Sequence, residues 1–474
     1  MNSSVLAYLE NSAEYFPEKC AVTDEKVSYS YSELVKLSSS VGTALSELIA
    51  SGDAVGIYME KCADAVAAFF ATVYAGGFYS VLNTELPQNR LQTTVSVLNP
   101  KVIVTSESLL ETAKEYFSER KIVTFEDLAK SEPDYAKLGE IRNHKIDTDP
   151  LYINFTSGST GTPKGIVVCH RSVIDFIDHF TEIFGIDNND VIANQAPFDF
   201  DFICDRRITV MIWAVSALCL ISTFHALDYR TPETVNKILF SGEVMPLKAL
   251  KNFRSHLPNA KYVNLYGPTE ITCNCTYHIL DNDCDYADGI PIGKPFPNED
   301  VILLDENNNR ISEVGKVGEI CVRGTALALG YYSNPEQNAK AFVQNPLNPY
   351  YPELIYRTGD LARYNENGEL VFSGRKDFQI KYMGHRIELE EIEREMSAVD
   401  GVEQCCCIFD EKKSRLKGFF VGSIEKDELA ASMSRDLPAF MVPGVIRRVD
   451  EMPLTKNGKI DRKKLAEIAG GRRK

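Results

Sequence analysis

Residues 156–165 form the segment Thr-Ser-Gly-Ser-Thr-Gly-Thr-Pro-Lys-Gly, which directly follows the strand-like run Leu151–Phe155. Closely spaced glycines and hydroxyl residues allow backbone N–H groups to turn towards an anion, and Lys164 adds positive charge. The segment lacks the GxxxxGK[ST] spacing of the ordinary P-loop. A polar surface loop is the alternative, but a preceding strand, spaced glycines and a lysine together favour phosphate binding. The predicted phosphate-binding residues are Thr156, Ser157, Gly158, Ser159, Thr160, Gly161 and Lys164.

Upstream of this loop, helical and strand-like segments alternate. Residues 32–48 have a helical pattern, whereas residues 54–59 and 101–106 are strand-like. Such alternation predicts an α/β fold, in which helices cover the sheets. Downstream, the most apolar stretch, Ile208–Thr223, predicts a buried strand that leads into a helix.

The pattern changes again towards the end of the chain. Residues 289–372 predict short strands joined by turns rich in Asn and Gly, which tolerate positive φ. After Gly374 helices return, and one of them carries an apolar stripe with glutamates opposite. Its apolar members are Leu389, Ile392, Met396 and Val399. The polar break at Arg375–Asp377 predicts a boundary between residues 1–374 and 378–474.

Composition limits the possible classes of function. A chain of 474 residues with 44% hydrophobic and 25% charged residues predicts a globular protein of more than one domain. The sequence has no apolar run of membrane-spanning length and no secretion signal at its start, so we expect a cytoplasmic protein without membrane insertion. The net charge of −16 argues against nucleic acid as a partner.

The 12 cysteines favour reduced thiols over disulfides in such a chain. Two clusters, Cys273 with Cys275 and the run Cys405–Cys407, lack a second pair at zinc-finger spacing. We therefore expect buried small apolar side chains there rather than metal ligands.

Further motifs follow the phosphate loop in order. They are Asn264–Glu270 (NLYGPTE), Gly318–Gly324 (GEICVRG), Tyr356–Asp360 (YRTGD), Gly374–Asp377 (GRKD), Gly384–Glu388 (GHRIE) and Asn457–Asp461 (NGKID). From about Tyr29 to Leu465 the chain resembles the adenylate-forming superfamily, which includes acyl-CoA synthetases, luciferases and the adenylation domains of nonribosomal peptide synthetases. NLYGPTE, IELEEIE and PLTKNGKIDR are typical of amino-acid-activating members. NQAPFDFD and ALALGYY are most similar to stand-alone D-alanine ligases that load a carrier protein.

This resemblance implies an architecture and a reaction. It implies a large N-terminal domain of helix-covered sheets with a small β-barrel-like subdomain (1–374), a hinge at 375–377 centred on Asp377, and a small mobile α+β C-terminal domain (378–474). The reaction is ATP-dependent activation of an amino acid, with D-alanine as one candidate, to an aminoacyl-adenylate. Transfer to the phosphopantetheine thiol of a carrier protein follows. Because no carrier segment follows Lys474, we expect a separate carrier protein.

The resemblance also implies roles for residues around ATP and Mg²⁺. Glu270 is the implied magnesium ligand, Thr269 donates to the α-phosphate, and Tyr266 lies against adenine unless it fills the core. Asp360 accepts both ribose hydroxyls, as a carboxylate with two acceptor oxygens can, and Arg375 approaches the same sugar. The positions implied at the purine edge are Gly242, Glu243 and Asn264, and Leu265 is also an implied nucleotide-binding residue.

Lys459 is the implied catalytic residue of the first half-reaction. A flexible ammonium can reach both the substrate carboxylate and the α-phosphate, where charge builds in the transition state. The resemblance further implies that the C-terminal domain rotates between the two steps. Lys459 then moves out of the active site. Gly384, His385 and Arg386 move in and line the tunnel through which the phosphopantetheine thiol reaches the adenylate.

Asp201 is implied to pair with the amino group of the substrate, with Asp199 as the alternative. The side-chain pocket is implied to include Trp213, Leu239, Ser241, Leu265, Cys273 and Asn274, with a place in the hydrophobic core as the equal alternative for each. The second possible function is that of an acyl-CoA synthetase. The substrates of such relatives have no amino group that would need Asp201, so this residue disfavours that function.

The resemblance fails directly after Phe202. Roughly thirty residues expected there are absent, and such a loss should expose apolar surface or leave a gap in the α/β layer. Either the deletion is natural, which makes a catalytically impaired homologue a third possibility, or the sequence omits a segment.

Overall fold

The computed structural model describes residues 3–157, 162–194, 206–287, 289–410, 413–454 and 460–469. The helices are α1 (Leu6–Tyr15), α2 (Tyr31–Leu45), α3 (Ala63–Tyr74), α4 (Gln88–Leu98), α5 (Leu110–Tyr116), α6 (Phe125–Leu128), α7 (Tyr135–Asn143), α8 (His170–Phe184), α9 (Val215–Thr223), α10 (Ala226–Tyr229), α11 (Leu247–His256), α12 (Pro335–Ala341), α13 (Leu389–Ser397), α14 (Lys426–Met433) and α15 (Arg462–Ala469).

The strands of the first half of the chain are β1 (Cys20–Thr23), β2 (Ser28–Ser30), β3 (Ala54–Tyr58), β4 (Phe78–Val81), β5 (Val102–Thr105), β6 (Ile122–Thr124), β7 (Pro150–Thr156), β8 (Lys164–Cys169), β9 (Ile192–Asn194), β10 (Val210–Ala214) and β11 (Lys237–Ser241). Those of the second half are β12 (Lys261–Tyr266), β13 (Thr276–Ile279), β14 (Lys294–Pro295), β15 (Glu299–Leu304), β16 (Arg310–Ile311), β17 (Gly318–Gly324), β18 (Gly330–Tyr331), β19 (Phe342–Gln344), β20 (Leu354–Tyr364), β21 (Leu370–Arg375), β22 (Gln379–Tyr382), β23 (His385–Glu388), β24 (Val402–Asp410), β25 (Arg415–Gly422) and β26 (Val445–Arg448).

The chain forms two compact units. The first contains Met1–His170, Tyr331–Ser333 and Ile387–Lys474, and the second contains Arg171–Gly330 and Asn334–Arg386. The boundary predicted at residues 375–377 is a different division, and it stays a prediction.

The first unit is built on a sheet of strand order β18-β8-β7-β4-β3-β5-β6. Strands β7, β4, β3, β5 and β6 are parallel neighbours, and β8 returns antiparallel to β7. Helix α2 begins at a capping box, in which the Ser30 side chain accepts from the Glu33 backbone and the Glu33 carboxylate accepts from the Ser30 N–H. Its apolar face packs with α3 on β3 and β5. The helix and strands predicted for residues 32–106 are therefore present.

The C-terminal part of the first unit is an α+β segment, with β24, β25 and β26 in one sheet. Helix α13 buries Leu389, Ile392 and Met396 as the stripe predicts. The glutamate-bearing face of α13 is not fully exposed to solvent. The Glu391 side chain on it is only 2% exposed and forms an ion pair of 2.7 Å with Arg90. The run Cys405–Cys407 is buried in β24.

The second unit contains a sheet of order β14-β13-β12-β11-β10-β9, whose strands β9 to β12 are parallel. Alternate side chains of these strands enter different cores, as the period of two of a strand dictates. Phe240 and Tyr262 pack in the core that contains α9 and α11, whereas Leu239 and Val263 pack with Phe184 of α8. The buried strand and helix predicted within Ile208–Thr223 are β10 and α9.

The strand-rich region of the second unit is an antiparallel sheet of order β16-β15-β17-β20-β19, with β21 paired to β20. Two predicted turns have the expected left-handed backbone, at Asn308 (φ +64°) and Gly368 (φ +74°). The α/β class predicted from the sequence is confirmed. No helix in the described part of the chain is long and apolar enough to cross a membrane.

Candidate active site

The candidate site of the second unit lies at the carboxyl ends of parallel strands, where open α/β sheets bind their ligands. Strand β11 ends at Ser241 and leads into Gly242, whose φ of +95° suits a glycine. Strand β12 ends at Tyr266, and Gly267 follows. A Cβ atom at Gly267 would lie 2.5 Å from the Cα of Asn274, so this close approach of two backbone segments requires glycine.

Tyr266 and Asp360 form the buried centre of this site. The phenol Oη donates a hydrogen bond of 2.5 Å to Oδ2 of Asp360, and the two residues are 6% and 4% exposed. Burial and the charge of Asp360 raise the pKa of Tyr266, so the phenol stays a donor. The other carboxylate oxygen, Oδ1, accepts from Nη1 of Arg375. The structure thus brings together the residues predicted at adenine and ribose.

Arg375 also binds the residue predicted as the hinge. Its Nε and Nη2 donate to the two carboxylate oxygens of Asp377 at 2.6 and 2.8 Å, a bidentate arrangement. Burial disfavours the charged guanidinium, but the hydrogen bond to Asp377 and the charges of Asp360 and Asp377 together raise the pKa of Arg375. Asp377 is therefore held against the arginine that is predicted to approach the ribose.

Lys381, which the sequence analysis does not single out, also contacts this centre. Its Nζ lies 5.7 Å from the centroid of the Tyr266 ring, in cation–π range. Burial lowers the pKa of Lys381, and the charge of Asp360 opposes that effect. Gln379 and Lys381 are two residues apart in the short strand β22, so their side chains lie on the same face of the strand. This spacing is the sequence signal that places Lys381 beside Gln379.

Glu270 is the middle residue of the short 3₁₀ helix Thr269–Ile271 and is only 1% exposed. Nη1 of Arg386 donates to both of its carboxylate oxygens, at 2.9 and 2.7 Å. A buried carboxylate needs a positive partner, and hard oxygen ligands suit Mg²⁺. Glu270 therefore fits its predicted metal role. Among the described residues no group of three or more His, Cys, Asp and Glu side chains could hold an ion. Mg²⁺ commonly binds through one or two carboxylates and completes its shell with water and substrate phosphates.

Glu243, predicted at the purine edge, accepts a hydrogen bond from a backbone group. Its Oε1 accepts from the N–H of Gly384 at 2.8 Å. Burial raises the pKa of Glu243, while the Gly384 hydrogen bond and the charge of Lys381 lower it. Gly384 has φ +78° and follows Met383 at φ +53°, so the two form the turn between β22 and β23.

Two other predicted nucleotide residues have different environments. Asn264 is 8% exposed, and its Nδ2 donates to the backbone oxygen of Pro291 at 2.8 Å. Thr269 is partly exposed at the start of the 3₁₀ turn.

The predicted substrate pocket divides into core and loop residues. Trp213, Leu239 and Leu265 are buried in the two hydrophobic cores of the sheet, and Nε1 of Trp213 donates to the backbone oxygen of Ala193 at 3.1 Å. Their side chains belong to these cores in the described arrangement, and their predicted substrate contacts stay a prediction.

The other predicted pocket residues lie at strand ends and in the loop after the 3₁₀ turn. Ser241 is the partly buried last residue of β11. Cys273 is exposed, with φ +81°, and follows Thr272 at φ +35°. Left-handed backbone in residues other than glycine is strained and concentrates at functional sites. Nδ2 of the buried Asn274 donates to the Cys273 sulfur at 3.2 Å.

The first unit carries the ends of the predicted phosphate loop. Thr156 closes β7 and pairs in register with Lys164 of the antiparallel β8, and Ser157 is buried. Nζ of Lys164 lies 5.9 Å from the ring centroid of Tyr331. Several predicted residues lie outside the described residues: Gly158, Ser159, Thr160, Gly161, Asp199, Asp201, Phe202 and Lys459.

Comparison with known families and sequences gives consistent matches. The AMP-binding enzyme family matches residues 9–237 and 203–332, and the AMP-binding enzyme C-terminal domain matches residues 391–459. Tyrocidine synthase 1 of Brevibacillus parabrevis is 30% identical over 98% of this chain and 45% of its own length. Zwittermicin A synthase ZmaJ of Bacillus cereus is 31% identical over 98% of this chain and 95% of its own length.

Among solved structures, holo-PA1221 is described as an NRPS protein containing adenylation and PCP domains. It superposes with a TM-score of 0.82 at 24% identity, covering 98% of this chain and 84% of that one. This similarity shows that the fold is shared. The chain spans less than half of tyrocidine synthase 1, so the activity of that whole protein does not transfer with the match.

Proposed function

Since the chain belongs to the AMP-binding enzyme family, we propose that it activates the carboxylate of an amino acid as an aminoacyl-adenylate. ATP and Mg²⁺ serve the first step. In the second step the aminoacyl group passes to the phosphopantetheine thiol of a separate carrier protein. The observation that carries this proposal is the cluster of the buried Tyr266 and Asp360 with the partly buried Arg375, formed where the parallel strand β12 ends.

The cluster supports nucleotide binding because its polar groups are held in place before a ligand arrives. Asp360 has a phenol donor on one oxygen and a guanidinium on the other, and each carboxylate oxygen has a second lone pair for a ribose hydroxyl. Such preorganisation saves the free energy of ordering these groups during the reaction. Tyr266 offers its ring to the adenine.

In the adenylation step the protein supplies position and charge. Thr269 donates its hydroxyl to the α-phosphate, and Lys459 neutralises the charge that develops as the carboxylate attacks phosphorus and pyrophosphate leaves. Glu270 holds Mg²⁺, which supplies neutralisation of the phosphate oxygens when bound. Asp201 pairs with the substrate ammonium and so selects amino acids.

The choice of an amino acid and a carrier protein rests on similarity. A zwittermicin A synthase is similar over 98% of this chain and 95% of its own length, and PA1221 contains adenylation and PCP domains. D-alanine is one candidate substrate, since the segments NQAPFDFD and ALALGYY are most similar to D-alanine ligases.

Two other functions compete with this proposal. An acyl-CoA synthetase needs no partner for a substrate ammonium, so Asp201 disfavours it. The segment after Phe202, which is shorter than the resemblance implies, favours a catalytically impaired homologue. The two matches to the AMP-binding enzyme family, at residues 9–237 and 203–332, overlap near this point.

ATP–pyrophosphate exchange with a panel of L- and D-amino acids and fatty acids separates the three functions. We expect exchange with one or a few amino acids, D-alanine among those tested. Exchange driven only by fatty acids identifies an acyl-CoA synthetase. No exchange with any acid, by a protein that still binds ATP in calorimetry, identifies an impaired homologue.

A further inference from the structure

His278 joins two separate segments of the second unit. Its Nδ1 lies 2.7 Å from Oε1 of Glu369, and its Nε2 lies 3.0 Å from Oη of Tyr286. Oη of Tyr286 accepts from the N–H of Asp281 at 2.7 Å, so the phenol hydrogen needs an acceptor of its own, which Nε2 of His278 supplies. The imidazole then carries its proton on Nδ1 and donates to the Glu369 carboxylate. Glu369, His278 and Tyr286 thus form a continuous chain of donors and acceptors, called the triad below.

The triad is largely shielded from water. The side chains of His278 and Glu369 are 13% and 23% exposed, and Tyr286 is buried. Burial raises the pKa of Tyr286, so the phenol keeps the proton that it donates. The guanidinium of Arg254 lies 5.6 Å from the Tyr286 ring centroid and donates to the backbone oxygen of Asp281 at 2.7 Å. The triad and Arg254 therefore fix the start of the connection between β13 and β14.

The triad adjoins the predicted purine edge. Asn264 of β12 is directly opposite His278 of β13 in this antiparallel pair, so the two side chains lie on the same face of the sheet. Nδ2 of Asn264 donates to the carbonyl of Pro291 at 2.8 Å, which leaves the amide oxygen as the remaining polar atom of that side chain. An acceptor at this place suits adenine, which carries an amino group at C6, and repels guanine, which carries an oxygen there.

Pro291 is itself attached on both sides to backbone that carries the triad. Tyr286 precedes Pro291 in the connection between β13 and β14. On the other side, the N–H of Ile292 donates to the backbone oxygen of Leu370 at 2.8 Å, and Leu370 directly follows Glu369. Because the triad joins Tyr286 to Glu369, it links the two backbone segments that hold Pro291.

We propose that the triad is a positioning unit for the purine edge. It holds Pro291 in place, and the Pro291 carbonyl keeps the amide of Asn264 in the orientation that accepts from adenine. The members of the triad act through these two residues, so they are positioning residues and not catalytic ones. The inference rests on the proposed function, because a nucleotide must occupy the site.

Calorimetry with ATP and with GTP, without a substrate acid, measures this role as the ratio of the two dissociation constants. Tyr286→Phe keeps the ring and removes the hydroxyl. We expect the preference for ATP to fall about threefold to tenfold, the change that loss of one neutral hydrogen bond typically produces. Tyr262→Phe is the matched control, because this buried phenol of the same unit donates to the backbone oxygen of Leu257 and not to the triad. The control should keep the wild-type ratio even where its Tm falls as much.

A double-mutant cycle with Asn264→Ala tests the route of this effect. If the triad acts through the Asn264 amide, Tyr286→Phe should not change the ratio further once that amide is removed. A wild-type ratio in Tyr286→Phe alone overturns the proposal. So does an equal fall with and without the Asn264 amide.

Glu369 supplies a second pair of variants, in case Tyr286→Phe does not fold. Glu369→Leu removes the acceptor of His278 at a partly exposed position, and Glu369→Gln restores an acceptor. We expect the preference for ATP to fall in Glu369→Leu and to return towards the wild type in Glu369→Gln, and a wild-type ratio in Glu369→Leu overturns the proposal. A wild type that does not bind ATP contradicts the proposed function instead, and this inference falls with it.

Discussion

Tyr266 and Asp360 are joined by a 2.5 Å hydrogen bond that connects β12 to β20 across 94 residues of chain. The phenol fixes one oxygen of the carboxylate, and Arg375 fixes the other. Since Tyr266 is buried and the side chain of Arg375 is only 14% exposed, the carboxylate has little freedom to rotate. A group held in this way can orient a ribose without the entropic cost of being ordered by the ligand.

Asp360→Asn should weaken ATP binding by about tenfold or more, because hydrogen bonds to a charged group are worth about 1.5–3 kcal/mol. Isothermal titration calorimetry with ATP measures the change. Tyr266→Phe keeps the ring and removes the fixing donor, so we expect a smaller loss. The control Asp300→Asn removes a carboxylate from β15, which belongs to the same antiparallel sheet as β20. Full ATP affinity in Asp360→Asn would remove the residue from the nucleotide site.

Sequence patterns predict much of this fold because period and turn chemistry are local. Strand β17 occupies the motif Gly318–Gly324, and the glycine of NLYGPTE is required by a backbone approach of 2.5 Å. The apolar stripe of α13 likewise follows from a period of 3.6 residues.

The contacts that the sequence does not predict connect distant segments. Glu243 and Gly384 are 141 residues apart, and Glu270 and Arg386 are 116 apart, so no periodicity marks either pair. Trp213 illustrates the opposite difficulty. The resemblance implies a place for it in the substrate pocket, and strand alternation turns its side chain towards the core that contains α9 and α11.

Lys459→Ala should abolish most adenylation while leaving ATP affinity nearly intact. Loss of one donor to the transition state typically lowers the rate by about 10²–10³. The measurement is ATP–pyrophosphate exchange, with calorimetry for ATP. Lys463→Ala, in α15, is the matched control for the loss of a nearby ammonium. Exchange by Lys459→Ala within twofold of the wild type would contradict the assigned role.

Asp201→Ala should reduce the preference for an amino acid over the corresponding acid without an amino group. A charge-assisted pair contributes about 1.5–3 kcal/mol, which corresponds to roughly a tenfold to hundredfold change in discrimination. Ratios of kcat/KM for paired substrates in the exchange assay measure it. Asp199→Ala is the control, and a larger loss in that variant would transfer the role to Asp199.

Glu299→Gln should change how stability depends on pH. Burial raises the pKa of the Glu299 carboxyl to about 8, and the charge of Asp175 adds to this, although a hydrogen bond from the Ala326 backbone opposes it. The folded protein therefore binds this proton more tightly than the unfolded chain. The resulting stabilisation is complete at pH values below the ordinary pKa of 4.5 and is lost as pH rises through about 8.

Thermal unfolding between pH 5 and 9 tests this sign. Wild-type Tm should fall over that range relative to Glu299→Gln, whose neutral side chain does not titrate. The corresponding change in the free energy of unfolding should not exceed a few kcal/mol, since a shift of one pKa unit corresponds to about 1.4 kcal/mol. Glu306→Gln, at an exposed turn, should follow the wild type. Parallel Tm curves for Glu299→Gln and the wild type would show that the carboxyl titrates alike in both states.

Asp377→Pro should slow thioester formation much more than adenylate formation, if residues 375–377 act as the hinge between the two steps. Proline fixes φ near −65° and disfavours the helical region at Lys376, so it restricts the dihedral changes that a hinge must absorb. The substitution also removes the bidentate pair with Arg375, which itself binds Asp360.

Asp377→Ala separates these two effects, because it removes the carboxylate without restricting φ. We expect Asp377→Ala to weaken ATP binding modestly and to slow both half-reactions alike, whereas Asp377→Pro should add a selective loss in the second. Pyrophosphate exchange measures the first half-reaction. Single-turnover transfer from isolated adenylate to pantetheine, as a surrogate thiol, measures the second. Equal losses of the two half-reactions in Asp377→Pro would assign Asp377 to holding Arg375 rather than to a hinge.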